Sequence, residues 1–418
     1  MGYNRSRQIP LLLLITLLLR HHCFFFLLFP PPSTTAATTT AGSYYNINDQ
    51  DATALLQLKA HITTTSTSSS SSSNHTLDSL FQNWTSAAAT DVCNSWAGVS
   101  CGRRHRRVIS LNLASMGLQG TLPPHLGNLS FLLSLDLSGN LLHGDLPNEL
   151  SKLTRLKIIN LSNNLFQGSI PPSLGALSGL KVLNLEANRL SGGIPTSVFN
   201  ISSLERLELA HNRLSGGLPD DMCNQLGKIE VLNVSSNHLE GRIPSRLRHC
   251  TSLQNLTFAS NWLTGPIPRS IANLTALKLL SLAYTNLTGE IPVEIGQLER
   301  LEILMMQNNG LSGAITPAIF NISTLQELDL SENKFSGTLP QNLFIPAQNL
   351  RKLKFHGNQV SGQIPASIGN CSMIKEFRIR NNNMTGKSIF IILVLASLMF
   401  LGGHSPKNYI IYYPYICQ

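Results

Sequence analysis

Basic side chains recur at two-residue spacing towards the end of the sequence. Lys352, Lys354 and His356 form one such series, and Arg378 and Arg380 form another. Residues i and i+2 of an extended strand point to the same side, and neighbouring guanidinium groups bind a carboxylate through charge-assisted hydrogen bonds. The spacing therefore favours binding of an anionic group. A charged face that is simply solvated is the alternative.

A second set of candidates combines an aromatic ring, a thioether and an amide. Tyr284, Met305 and Gln307 stand among small or polar residues, and aromatic side chains often anchor binding interfaces. Simple exposure to solvent is again the alternative. The candidate ligand-binding residues are Tyr284, Met305, Gln307, Arg351, Lys352, Lys354, His356, Arg378 and Arg380.

The sequence contains no pattern that indicates catalysis. It has no nucleophile paired with a base, no cluster of metal ligands and no glycine-rich phosphate loop, and enzymes and cofactor sites are built from such constellations. We therefore expect a binding protein that is not an enzyme and uses no metal or cofactor.

An asparagine recurs at a nearly constant interval through most of the chain. The series is Asn140, Asn164, Asn188, Asn212, Asn237, Asn261, Asn309, Asn333, Asn358 and Asn382, with steps of 24 or 25 residues and one step of 48. A period in this range indicates one structural unit stacked many times. Each asparagine follows an apolar-x-apolar pair, so each unit is predicted to contain a short strand with alternate side chains inward. The amide can satisfy backbone groups in the buried turn after that strand.

This phrase resembles the leucine-rich repeat. Segments of the form Gly-x-Ile/Leu-Pro, such as residues 168–171 and 362–365, resemble its plant-specific version. The resemblance implies an α/β repeat solenoid, a right-handed superhelix with a parallel β-sheet on its concave face. About twelve repeats of 24 residues would occupy residues 106–386, with the candidate binding residues on the concave surface.

Two cysteines precede the first repeat. A disulfide between Cys93 and Cys101 would, in an oxidising compartment, stabilise a region too small to have much core of its own. With a predicted helix at residues 51–59, the pair resembles the N-terminal cap of plant leucine-rich-repeat receptors, which implies a helical, disulfide-bonded cap at residues 42–105. The Thr/Ser-rich run at residues 63–73 is predicted to be a loop.

Three further cysteines lie within the repeats. Cys250 and Cys371 occupy a position that is usually leucine in the other repeats, so we interpret both as buried thiols that fill the core. Cys223 lies one repeat before Cys250, and a disulfide between Cys223 and Cys250 is the alternative.

The two ends of the chain depart from the repeat. Residues 1–41 join two arginines, apolar stretches and small residues, a combination typical of a secretory signal peptide. In the tail at residues 387–418, the apolar run of residues 389–401 is shorter than the ~20 residues of a membrane span. We interpret the chain as truncated before a kinase, so that membrane attachment would need a missing or atypical C-terminal segment. A tail that caps the last repeat is the alternative.

Twelve glycosylation sequons of the form Asn-x-Ser/Thr follow the signal region. They begin at Asn74, Asn83, Asn128, Asn160, Asn200, Asn233, Asn255, Asn273, Asn286, Asn321, Asn370 and Asn383. Several follow from the repeat phrase itself, but all suit a glycoprotein of the secretory pathway. Glycans at Asn160, Asn233 or Asn255 would block the concave side, so we expect ligand contact nearer the eighth to twelfth repeats.

The charge balance indicates no nucleic-acid partner. The formal net charge is +9, but only 13% of residues are charged. The one dense basic run, residues 103–107, is interpreted as a solvated junction between the cap and the first repeat.

Residues 48–386 resemble the ectodomain of a plant leucine-rich-repeat receptor kinase. Residues 101–108 and 118–130 carry a likeness to the immune-receptor group that includes the elongation-factor-Tu receptor. The resemblance implies a peptide or protein ligand, a possible co-receptor kinase, and a place at the outer side of the plasma membrane or in the apoplast, in defence or peptide signalling. Signatures of the kinase itself are absent from the sequence. A secreted inhibitor or decoy of microbial hydrolases is the alternative.

Overall fold

The computed structural model describes residues 49–64, 81–85 and 92–385. The predicted signal peptide, the sequon at Asn74 and the predicted tail lie outside these residues. The α-helices are α1 (Asp49–His61) and α2 (Val92–Ser95). The strands are β1 (Ile62–Thr64), β2 (Val99–Cys101), β3 (Val108–Asn112), β4 (Leu118–Gly120), β5 (Ser134–Asp136), β6 (Leu141–Asp145), β7 (Ile158–Asn160), β8 (Leu165–Gln167), β9 (Val182–Asn184), β10 (Ser191–Gly192), β11 (Arg206–Glu208), β12 (Arg213–Gly217), β13 (Val231–Asn233), β14 (His238–Glu240), β15 (Asn255–Thr257), β16 (Thr264–Gly265), β17 (Leu279–Ser281), β18 (Asn286–Gly289), β19 (Ile303–Met305), β20 (Gly310–Ala314), β21 (Glu327–Asp329), β22 (Lys334–Ser336), β23 (Lys352–Lys354), β24 (Ser361–Gly362), β25 (Glu376–Arg378) and β26 (Asn383–Met384).

Each repeat contributes a short strand whose central residue is buried. In β7, Ile159 is fully buried, whereas Ile158 and Asn160 are half-buried on the other side. The alternation follows from extended backbone, which sends successive side chains to opposite faces. One such strand cannot bury its apolar side alone, so burial requires that the repeats stack, and each buried leucine or isoleucine then contributes roughly 1.5–3 kcal/mol.

Stacking produces one principal sheet with strands in sequence order. Within the described residues it has thirteen strands: β2 is antiparallel to β3, and the odd-numbered strands from β3 to β25 run parallel. The inward side chains form one continuous core from Ala52 to Cys371. The predicted repeat solenoid with a parallel sheet is confirmed.

The rest of each repeat turns the chain back to the next strand. Even-numbered strands from β4 onwards form smaller, mostly parallel sheets, and a glycine such as Gly192, at the end of β10, adopts a φ of +75°. Short 3-10 helices close most repeats, at Pro124–Asn128, Asn148–Lys152, Pro172–Ala176, Thr196–Asn200, Met222–Asn224, Leu247–His249, Arg269–Asn273, Val293–Gln297, Pro317–Asn321 and Ala366–Asn370.

The recurring asparagine bonds each repeat to the repeat before it. Asn237 Nδ2 donates to the carbonyl oxygens of Val234 in its own repeat (3.1 Å) and Leu209 in the preceding one (3.0 Å). Its Oδ1 accepts the backbone N–H of Leu214, also in the preceding repeat, at 2.9 Å. The asparagine side chains thus pair with buried backbone groups of the turns, as expected, and they bond to the backbone rather than to one another.

Thr285 occupies the ladder position where the asparagine step doubles. Its hydroxyl donates to the Leu282 carbonyl at 3.0 Å and to Asn309 Oδ1. A threonine side chain is too short to reach back to the Phe258 carbonyl and the Leu263 N–H, the two groups that an asparagine would engage in the preceding repeat. This junction therefore lacks the two side-chain hydrogen bonds that connect repeats elsewhere.

We expect Thr285→Asn to stabilise the protein and Asn237→Thr to destabilise it. The first substitution adds two buried hydrogen bonds, with an expected gain of about 1–2 kcal/mol. The second leaves the buried Leu214 N–H unpaired, while the Leu209 carbonyl keeps its bond from Asn212 Nδ2, so the expected loss is about 1–3 kcal/mol. Denaturant unfolding of both variants measures the effects. A lowered unfolding midpoint for Thr285→Asn would contradict this account of the ladder.

The N-terminal cap is helical and disulfide-bonded, as expected. Cys93 and Cys101 are joined, with their Cα atoms 5.4 Å apart. The indole of Trp84 stacks on that of Trp96 at a centroid distance of 5.1 Å. The predicted helix is present and extends over Asp49–His61.

An ion pair that the sequence did not predict joins the cap to the first repeat. Asp51 on α1 is fully buried, and Arg107 Nε and Nη2 donate to its two oxygens at 2.8 and 2.7 Å. The Val108 N–H donates to the same carboxylate at 3.0 Å. Residues 103–106 are exposed as expected, but the interpretation of the run as a solvated junction is wrong for Arg107, because a buried carboxylate requires a paired cation.

Two interpretations from the sequence are corrected. Cys250 is not a free thiol but forms a disulfide with Cys223, because stacking brings their Cα atoms to 5.2 Å. Cys371 is a buried free thiol, as expected, and burial raises its pKa to about 11. The run at residues 63–73 does not begin as a loop, since Thr63 and Thr64 belong to β1, which pairs antiparallel with β4.

Candidate functional site

The outward side of the principal sheet, here called the open face, carries two prominent side chains per repeat. The last residue of each strand is position A, and the residue two further on is position B. In one repeat Asp136 and Ser138 hold these positions, and Asp136 Oδ1 accepts the Ser138 N–H at 3.0 Å and the Ser138 hydroxyl at 2.7 Å. The same arrangement recurs at Asn160 with Ser162, Asn233 with Ser235 and Asp329 with Ser331. Such pairs complete a local turn, so their polar groups are already used.

Three repeats late in the chain replace this pair with long side chains. Positions A and B are Met305 and Gln307 in one, Lys354 and His356 in another, and Arg378 and Arg380 in the last. Six of the nine predicted ligand-binding residues therefore occupy equivalent positions on one face, freed from the local turn. Lys352 begins β23 on the same face, and the exposed Arg351 immediately precedes that strand.

Tyr284 lies beside this face but not on a strand. It follows β17 in the turn, with a φ of +55°, and its N–H donates to the Gln307 carbonyl at 2.8 Å. Tyr284 is therefore not one of the outward strand residues that hold most of the other candidates. Equivalent positions in most other repeats hold small or polar residues, such as Ser236 and Ser260. A bulky residue in the left-handed region is strained.

Three candidates have a buried polar atom with no hydrogen-bond partner among the described residues, namely Gln307, His356 at Nδ1 and Arg378 at Nε. Gln307 is 8% exposed, and its unpaired atom is Oε1. Met305, on the same face, is half-buried. An amide oxygen left unpaired at this depth is unfavourable, and a ligand donor that reached it would remove that penalty.

The basic candidates are partly neutralised by neighbouring carboxylates. Lys352 Nζ lies 2.7 Å from Glu327 Oε1, while Lys354 and Arg378 share Glu376 at 3.3 and 2.6 Å. The sequence-based hypothesis that Arg378 and Arg380 act as an equal pair on a ligand carboxylate is weakened by this geometry, because Glu376 already binds Arg378.

Arg351 and Arg380 remain available. Both are exposed, and within the described part of the chain no ion pair under 4 Å involves either of them. Between them, His356 Nε2 lies 3.9 Å from Glu332 Oε1. Burial lowers the pKa of His356, and the nearby Asp329 and Glu332 carboxylates oppose that shift.

A separate acidic group lies on the open face near β11. Glu208 is 8% exposed and bonded to Arg206, with 2.7 Å between Oε1 and Nη2. Burial, and then repulsion from Glu208, raises the pKa of Glu186 to about 7, and burial lowers the pKa of His211. None of these residues is among the nine predicted ligand-binding residues.

We expect Glu186 to make stability depend on pH. Its pKa is about 7 in the folded chain against 4.5 for the ordinary group. The stability that this carboxyl group contributes is therefore fully present below pH 4.5 and is lost as the pH rises through 7. On going from pH 5 to pH 8, the free energy of unfolding of Glu186→Gln should therefore rise by on the order of 1–3 kcal/mol relative to that of the unsubstituted protein. Unfolding at both pH values measures this difference. The control is Glu240→Gln, an exposed residue, and an equal pH effect in both variants would exclude burial as the cause.

The sequons within the described residues are all accessible, and they fall in four places. Asn160, Asn233 and Asn255 lie on the open face and are half-buried. Asn286 and Asn383 begin even-numbered strands and are exposed. Those that end 3-10 helices are Asn128, Asn200, Asn273, Asn321 and Asn370, and Asn83 lies in the cap.

In the described part of the chain, no group of three or more His, Cys, Asp or Glu side chains could hold a metal ion. Nor does any helix in those segments have the length and apolar character to cross a membrane.

Comparison with protein families identifies the class to which this solenoid belongs. The leucine rich repeat N-terminal domain matches residues 48–102. The leucine rich repeat matches residues 131–153, 155–177, 179–201, 203–225, 228–250, 252–274, 324–344 and 349–371. The chain belongs to the leucine-rich-repeat proteins that carry this N-terminal domain.

Its relatives are plant receptor kinases. LRR receptor-like serine/threonine-protein kinase EFR of Arabidopsis thaliana is 38% identical over 85 residues, which are 20% of this chain and 7% of that protein. Receptor kinase-like protein Xa21 of Oryza sativa subsp. japonica is 46% identical over 54 residues, 12% of this chain and 5% of that protein. These matches thus span less than a tenth of each relative's length.

Solved ectodomains of plant receptors share the fold. A TDR receptor has a TM-score of 0.65 and 35% identity, covering 67% of this chain and 48% of that chain. The plant peptide hormone receptor RGFR1 in complex with RGF2 has a TM-score of 0.62 and 33% identity, covering 64% and 42%. The Arabidopsis receptor kinase HAESA in complex with the peptide hormone IDA and the co-receptor SERK1 has a TM-score of 0.54 and 29% identity, covering 81% and 66%. The chain resembles the ectodomain of such a receptor.

Proposed function

We propose that this chain is the extracellular ligand-recognition region of a plant leucine-rich-repeat receptor kinase and that it binds an extended peptide. The ligand lies along the open face from Tyr284 to Arg380. The proposal includes export through the secretory pathway and a place at the cell surface or in the apoplast. It also includes a role in defence or peptide signalling, with a co-receptor kinase as second partner. The peptide complexes of RGFR1 and HAESA, which share the fold, support it.

One observation carries the proposal. The open face keeps its self-contained Asx–Ser pairs in several earlier repeats but presents Met305 with Gln307, Lys354 with His356, and Arg378 with Arg380 in later ones. Long side chains here add nothing to the turn that the short pair completes. Their presence in three of the last four repeats supports contact with another molecule.

The geometry suggests the length and chemistry of the ligand. Tyr284 and Arg380 lie four repeats apart, about 19 Å at a strand spacing of ~4.8 Å. An extended chain advances about 3.3 Å per residue, so roughly six ligand residues span this distance. An apolar residue would contact Tyr284 and Met305, and an acidic side chain or C-terminal carboxylate would bind Arg380.

The test measures binding of synthetic plant secreted peptides to the whole secreted chain. For a peptide that binds, Arg380→Glu and Arg351→Glu should each weaken affinity about tenfold or more, since replacing an attraction with a repulsion changes the binding free energy by at least ~1.4 kcal/mol. Titration calorimetry of each variant gives the dissociation constants.

Lys157→Glu is the matched control. Lys157 holds the position of Arg351 in an earlier repeat, immediately before its strand, and is also exposed. Its reversal changes the net charge equally but should leave affinity unchanged. An equal loss for Lys157 and Arg351, or no loss for Arg351 and Arg380, would refute the proposed position of the ligand. Lys354 and Arg378 suit the test less well, because reversing either also breaks its ion pair with Glu376.

A further inference from the structure

A strip of exposed residues runs along the edge of the solenoid, outside the open face. It is formed by the residue after each ladder position, and three consecutive members are His238, Trp262 and Asn286. The Trp262 N–H donates to the Leu239 carbonyl, and the Asn286 N–H donates to the Leu263 carbonyl, each at 2.8 Å. These equivalent bonds place the three residues one strand spacing apart, about 4.8 Å.

Trp262 is an exposed ring with one covered face. Its side chain is among the exposed large hydrophobic groups, with 54% of the residue accessible. The His238 ring stacks on it at a centroid distance of 4.8 Å and an interplanar angle of 22°. That separation equals the strand spacing, so the rings stack along the strip. The uncovered face of the indole therefore looks towards the next repeat, where Asn286 lies.

Asn286 is the first residue of an outward-facing sequon. In β18, Leu287 is fully buried, whereas Asn286 and Thr288 on either side of it are exposed. Both the acceptor amide and the threonine hydroxyl of the sequon therefore lie on the solvent side. A sugar attached to Asn286 Nδ2 would start within one strand spacing of the open indole face.

We propose that Asn286 is glycosylated and that the first N-acetylglucosamine packs on the uncovered face of Trp262. The strip then carries a stack of three rings: imidazole, indole and sugar. The proposal rests on export through the secretory pathway, which the proposed function also requires. Asn286 is the strip residue that adjoins the free face of the Trp262 indole, so its sugar is in position to cover that face.

The attachment and the packing are ordinary chemistry. Asn286 Nδ2 attacks C1 of the first sugar of a polyprenyl-pyrophosphate-linked oligosaccharide, loses a proton, and displaces the lipid pyrophosphate as the C1–O bond breaks. Axial C–H groups of a hexose ring carry partial positive charge and lie on one apolar face. They suit the negative face of an indole, and the contact removes apolar surface from water.

The experiment uses the full chain secreted from plant cells, with mass spectrometry to measure glycan occupancy at Asn286. Acrylamide quenching of tryptophan fluorescence then reports on Trp262, because Trp84 and Trp96, the other two tryptophans, are buried. Thr288→Ala, which removes the sequon, should raise the quenching constant about twofold, since one ring face is freed. Thr288→Ser, which keeps the sequon, should restore the low value.

Asn383 provides the matched control. It also begins an even-numbered strand and a sequon, but its neighbour on the strip one repeat earlier is Gln359 instead of an aromatic residue. Thr385→Ala should remove that glycan without changing the quenching. Enzymatic removal of glycans from the folded, unsubstituted protein gives a second measurement that does not depend on how the variants fold, and it should raise the quenching constant as Thr288→Ala does.

The outcomes separate this proposal from the proposed function. An occupied Asn286 with unchanged quenching after glycan removal overturns the stacking and leaves Trp262 as a surface for another partner. An unoccupied Asn286 in a chain glycosylated elsewhere overturns this proposal alone. A chain that is retained inside the plant cells with no occupied sequon counts against export, and therefore against both proposals.

Discussion

The structure depends on an asparagine amide that completes hydrogen bonds for two repeats at once. Asn237 donates to carbonyls in its own and the preceding repeat and accepts an N–H from the latter. Without this group the buried turn would leave backbone atoms unpaired, which is costly in a core from which water is excluded. The amide therefore fixes the distance and register between neighbours, and the parallel sheet follows from that constraint.

Because the ladder and the buried leucines hold the fold, the outward residues are free to vary. Several earlier repeats use this freedom for a local purpose, as in the hydrogen bonds between Asp136 and Ser138. Three of the last four repeats do not, and Met305 and Arg380 face outward without serving the turn. The same separation of roles applies on the strip that carries Trp262. In such a solenoid, binding surfaces are thus formed by outward side chains that the stability of the fold does not require.

Much of the fold was predictable from the sequence, and so were the positions of most candidates. The period located the strands, and the alternation within β7 assigned Ile159 to the core and Asn160 to the open face. The turn position of Tyr284 was not predicted, because its left-handed φ of +55° arises in a turn whose shape the spacing does not reveal. Arg107 was misjudged, because its partner Asp51 is distant in sequence and their contact exists only once the cap packs on the first repeat.

The sequence by itself determined the repeat, its strand, its core and the sides on which residues lie, because all of these follow from local periodicity. Only the tertiary structure decided which side chains meet across repeats. It paired Cys223 with Cys250, bound both Lys354 and Arg378 to Glu376, and placed Trp262 between His238 and Asn286. The physical reason is that such contacts join residues about one repeat or less apart whose side-chain directions are set by packing, and spacing alone does not specify those directions.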